Sequence, residues 1–167
     1  MHATAFVPDE QFFNESFANY VADALTDNWI QIRFGPGSPE DVAWTLGQAL
    51  SKPRIARQLA AYEALKAVYE DKALTKNQKL AKKAAIIDEL MLDLHLRKRP
   101  NNATINETRL YNGGAAALLK AHRACGDLEK LVRAATTLRR SDFTKNTQED
   151  LEPIGNLLAE RCRKLDH

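Results

Sequence analysis

Alanine and leucine dominate this chain's apolar alphabet, and that imbalance limits its fold more than any other feature. It carries 25 Ala and 21 Leu against 5 Val and 7 Ile. Straight-chain and small residues keep their side-chain freedom in a helix, whereas β-branched ones favour strands. An all-α fold follows. Periodicity agrees: Phe13, Phe17, Val21, Ala24 and Leu25 fall on one helical stripe that Gly35-Pro36-Gly37 terminates. Ser38-Pro39-Glu40-Asp41 supplies a cap, a first-turn proline and two acids for the positive end of a second helix.

That second helix is predicted to be short, stopping near Ser51-Lys52. Pro53 is predicted to open a third, with Ile55, Leu59, Tyr62, Leu65 and Tyr69 on its apolar side. Thr75 caps a fourth, carrying Leu80, Ala84, Ile87, Leu90, Met91 and Leu94, and Arg97-Lys98-Arg99 with Pro100 close it. Asn101 and Asn102 start a segment that Gly113-Gly114 interrupts. Gly126 separates two further helices, and a polar stretch from Ser141 to Asn146 precedes a last one through Leu165. The expected architecture is an irregular single-domain array of six to eight helices spanning 1–167, with no domain boundary and no 20–50-residue repeat.

Length and charge exclude several classes. With 167 residues the chain buries enough surface to fold without metals or disulfides. No apolar run reaches the roughly 18–20 residues of a membrane span. The net charge of +2 gives no general field toward nucleic acid. Arg97-Lys98-Arg99 is the main support for the alternative, a helical nucleic-acid- or protein-binding module without catalysis. Two cysteines, Cys125 and Cys162, exclude a disulfide-dense scaffold. His122 and Cys125 form an H-x-x-C pair, but without a second pair it reads as structural, the cysteine serving as a small free hydrophobe. His95 reads as a helix-end histidine favoured by the dipole.

The stretch HATAFVPDEQFFNESFANYV carries the functional signal. Asn14-Glu15-Ser16-Phe17-Ala18 matches an Asn-Glu-x-x-Ala element, and His2-Ala3-Thr4 precedes it. Together they resemble the zinc-site region of gluzincin metallopeptidases, most closely the predicted bacterial aminopeptidases. Weaker similarity runs through Tyr69 to Leu90, Asn101-Asn102-Ala103, Tyr111, Leu119 and Gly126-Asp127-Leu128. The resemblance implies zinc held by His2 and Glu15, an oxyanion role for Tyr111, substrate contacts by Asn101 and Asn102, and hydrolysis of a peptide substrate.

In that family a first histidine and a catalytic glutamate stand ahead of the residue aligned with His2. Neither has a counterpart here. The chain is therefore expected to be the C-terminal part of such an enzyme, begun inside its His-Glu-x-x-His motif. Alone it is expected to hold zinc weakly or not at all and to be inactive. Glu15 has Ala18 and Ala22 on its own face, which suits a closely packed partner, whereas Glu10 is assigned no role. Loss of upstream cover predicts a homodimer through the Phe12–Phe17 segment. The resemblance points to the bacterial cell envelope, with the cytoplasm as the alternative, and to no nucleic-acid partner.

Overall fold

The computed structural model describes residues 4–165. Among them are seven α-helices and a short 3-10 turn, with no strand. Their order is α1 (Gln11–Phe34), α2 (Pro39–Glu70), α3 (Lys76–Leu94), α4 (Asn102–Asn112), α5 (Ala115–Cys125), α6 (Leu128–Thr136) and α7 (Glu152–Lys164). The all-α expectation holds. The chain gathers into two compact units, Met1–Asp41 with Leu110–His167, and Val42–Arg109.

In the first unit, α1 buries Phe12, Phe13, Phe17 and Val21. Phe13 and Phe17 stack with centroids 5.3 Å apart, and Phe143 meets Phe13 edge-on at 5.5 Å. These rings are covered within the chain itself, with Phe12, Phe13 and Phe17 at 2% exposure or less. The expected homodimer through Phe12–Phe17 is thereby corrected: the segment's rings are core and offer no surface to a partner. Helices α5, α6 and α7 supply the rest, including Leu118, Leu131, Ile154 and Leu158.

Two glycines set how closely these helices approach. A Cβ on Gly155 would sit 2.8 Å from the Ala117 carbonyl oxygen of α5. One on Gly114 would meet Leu151 Cδ1 at 2.5 Å and Ser16 Cβ at 2.9 Å. A disulfide joins Cys125, the last residue of α5, to Cys162 in α7 across 37 positions of sequence. This corrects the reading of Cys125 as a free cysteine, though its structural role stands.

The second unit is built on α3. Thr75 and Gln78 form a reciprocal capping box at its start, satisfying two otherwise unpaired backbone donors. Its core comprises Ala61, Leu65, Ile87, Leu90, Leu94 and Ile105, whereas Leu80 is exposed. Arg54 donates to the Leu94 carbonyl at the end of α3, and Arg57 pairs with Glu89 and Asp93.

The predicted break at Pro53 is also corrected, because α2 runs unbroken through it. A proline inside a helix removes one backbone bond, here to the Ala49 carbonyl. Ala49 and Pro53 both lie on an exposed stretch, where the freed carbonyl is open to solvent. Nearby, the Ser51 hydroxyl donates to the Gly47 carbonyl at 2.8 Å.

Candidate functional site

Residues 4–10 are pinned across the first turn of α1 by buried polar contacts. The Val7 N–H donates to Asn14 Oδ1 at 2.9 Å, and Asn14 Nδ2 donates back to the Val7 carbonyl at 2.8 Å. Ser16 Oγ donates to the Leu110 carbonyl at 2.7 Å. In Asn14-Glu15-Ser16, the asparagine and serine are thus fixed to backbone carbonyls. Glu15 is half-buried on the wall of an open cleft of about 440 Å³, which Phe6, Asp9, Gln11, Asn14, Asn146 and Thr147 also line.

The opposite wall of the cleft is held by Glu10, to which the sequence assigned no role. Its side chain is fully buried. One carboxylate oxygen accepts the Gln148 N–H at 2.9 Å and the other faces Arg140 Nη1 at 3.3 Å. A buried carboxylate is tolerated only when paired and hydrogen-bonded, so this contact binds the 140–148 loop to the start of α1. Asp9 and Thr147 both have left-handed backbones, at φ 63° and 53°, and the Thr147 N–H donates to the Asp9 carbonyl at 3.3 Å. For threonine this conformation costs on the order of 1–2 kcal/mol. No sequence signal foretold it, since Thr147 lies just past the polar stretch from Ser141 to Asn146.

Of the predicted site residues that the structure describes, Glu15 lines this cleft. Tyr111, near the end of α4, is exposed. Asn101 and Asn102 belong to the second unit. Asn101 Oδ1 caps α4 by accepting the Thr104 N–H at 3.0 Å, and Asn102 Nδ2 donates to the Tyr69 hydroxyl at 3.0 Å. Asn101 also borders a cleft of about 250 Å³ with Lys98 and Arg99. His2 lies outside the described residues.

The other sequence candidates do not converge. Cys125 is consumed by the disulfide, and His122 Nδ1 shares a 2.8 Å hydrogen bond with the Tyr20 hydroxyl. Burial raises the Tyr20 phenol above its ordinary value, and Arg123 partly offsets this. His95 is the left-handed C-cap of α3, at φ 51°. Within the basic run, Arg99 is paired with Asp88.

A catalytic zinc takes three protein ligands. Among the described residues, no three His, Cys, Asp or Glu side chains come together to hold a metal ion. The cleft contributes only the carboxylates of Asp9 and Glu15, so the described residues do not by themselves complete a zinc site. Of the small residues on the face of Glu15, Ala22 is exposed and Ala18 half-buried.

A helical chain with an open cleft floored by Asn14 and Glu15 is the class that fold and geometry define. The model of a family described as "Putative aminopeptidase" matches residues 1–150, and the chain belongs to that family. The match takes in the whole cleft and stops short of α7. No curated protein and no solved structure matches. No helix among the described residues is long and apolar enough to cross a membrane.

Proposed function

We propose that the chain is the helical part of a zinc-dependent, gluzincin-type aminopeptidase, whose complete form hydrolyses the N-terminal bond of a peptide. One observation carries this reading. Within the element that matches the family, Asn14 and Ser16 are fixed to backbone carbonyls while Glu15 stands on the cleft wall. A side chain held this way by its neighbours is preorganised to serve as a ligand. Glu15 and His2 are two of the required donors.

The disulfide supports a place in an oxidising compartment. Such bonds persist in periplasmic and extracellular settings and are rare in reducing ones. The cell envelope is the compartment we propose.

Metal analysis tests the reading. The 167-residue chain should carry well under one zinc per molecule. A version extended to place His-Glu and one further residue ahead of His2, with the upstream part of a complete relative, should approach one. Glu15→Gln should then lower its zinc content sharply, while Glu40→Gln should not. Glu10→Gln is unsuitable as the control because that carboxylate holds the cleft wall. Equal zinc content in the Glu15 and Glu40 variants would refute Glu15 as a ligand.

A further inference from the structure

The face of α1 that points away from the core carries an apolar stripe. Ala18, Ala22, Leu25, Trp29 and Ile32 recur at alternating steps of four and three, the spacing of a helix-pairing seam. At 3.6 residues per turn they fall, with Glu15 and Arg33, within an arc of about 100°. The large members are open to solvent, with Leu25 51%, Trp29 57% and Ile32 86% exposed. Phe34 extends the patch, its ring edge-on to Trp29 at 5.4 Å with the Arg33 guanidinium 5.9 Å from its centroid.

We infer that this stripe is a self-association surface on which a second copy of the chain packs antiparallel, with its two-fold axis near Leu25. The order of side chains argues for that occupant. Small residues lie on one side of Leu25 and large ones on the other, at matching distances. An antiparallel copy therefore sets Trp29 against Ala22 and Ile32 against Ala18, and Leu25 meets its own mate. A parallel copy would stack large on large and leave the alanines apart.

Charge points the same way. Arg33 lies about five whole turns beyond Glu15, so both occupy the same edge of the stripe. In an antiparallel pair like edges meet, which brings Glu15 of each copy toward Arg33 of the other. A parallel pair would keep Glu15 of one copy and Arg33 of the other about five turns apart, on opposite edges, with no such pairing.

The surface is small. A helix of 24 residues is about 36 Å long and about 10 Å wide, a strip of a few hundred Å² per copy. A standard interface takes about 800 Å² per partner, so a dissociation constant in the tens of micromolar is expected. The inference does not rest on the zinc reading, but both draw on the Glu15 carboxylate, so EDTA in the buffer keeps metal out of the test.

Sedimentation equilibrium from about 5 to 300 µM should show a monomer–dimer equilibrium. Trp29 emission should move to the blue with concentration in a Trp44→Phe background. Leu25→Glu puts two carboxylates across the axis and should weaken association more than 100-fold while leaving the helical circular dichroism unchanged. Glu15→Arg and Arg33→Glu should each weaken it about tenfold, and the double exchange should restore it to within threefold. A monomer at 300 µM, or one that binds phosphatidylcholine vesicles instead, overturns the inference. So does a dimer indifferent to Leu25→Glu, or one that the double exchange fails to rescue.

Discussion

Replacing both Cys125 and Cys162 by alanine isolates what the cross-link between α5 and α7 contributes. The bond closes a loop of 37 residues. In the chain-entropy model, that loop removes about 13 cal/mol/K from the unfolded ensemble, or about 4 kcal/mol at 25 °C. Both residues are buried, at 5% and 1% exposure, so their truncation adds a smaller loss of packing. Against the roughly 5–15 kcal/mol that holds a typical domain, this is a large share. Urea unfolding followed by circular dichroism should give a deficit of about 4 kcal/mol for the double variant. Its slope should be steeper, because the unfolded chain is no longer held together. Hydrogen exchange should accelerate in α5 and α7. A deficit below about 1 kcal/mol, or two thiols titrating in protein purified without reductant, would refute the reasoning.

Two glycines should respond to alanine with opposite signs. Gly47 lies inside α2 with nothing within 4 Å of the place a methyl would take. Gly47→Ala should therefore gain about 0.5–1 kcal/mol, the usual helix preference of alanine over glycine. Gly155→Ala should instead lose about 1–3 kcal/mol, because its Cβ would press on the backbone oxygen of Ala117. Thermal melts of the two variants check this. Tyr20 gives an alkaline signature. Its folded pKa is raised above the ordinary 10.0, so its contribution is complete below pH 10 and is lost as pH rises through the higher folded value. Tyr20→Phe should flatten that alkaline fall in urea titrations, and an unchanged slope would refute the assignment.

Those parts of the fold written in local chemistry were legible in the sequence. Ser38 and Thr75 start helices as their side chains dictate, Gly35 ends α1, and Gly126 ends α5. Pro53 misled because its cost depends on where the lost bond lies, and on an exposed stretch the freed carbonyl is open to solvent. At the candidate site, sequence found Glu15 by pattern but missed what frames it. Glu10 and Gln148 meet across 138 positions, and nothing local distinguishes a glutamate that will be buried from one left in water. The disulfide was hidden similarly, since two cysteines 37 apart spell no motif. The family match ends at residue 150. Yet Ile154, Leu158 and Cys162 of α7 are core, because an amphipathic helix needs only its apolar spacing to pack.

The first unit is assembled from the two ends of the chain, Met1–Asp41 and Leu110–His167, with 68 residues of the second unit, Val42–Arg109, emerging between them. During synthesis or passage through a narrow pore, Phe13 and Phe17 therefore emerge long before the helices that cover them. At about 5–20 residues per second this leaves an aromatic cluster uncovered for several seconds or more. The second unit, contiguous in sequence, is free to fold in that interval. The first unit cannot close until α7 arrives, so a chain interrupted before residue 152 should present sticky aromatic surface to any holding chaperone.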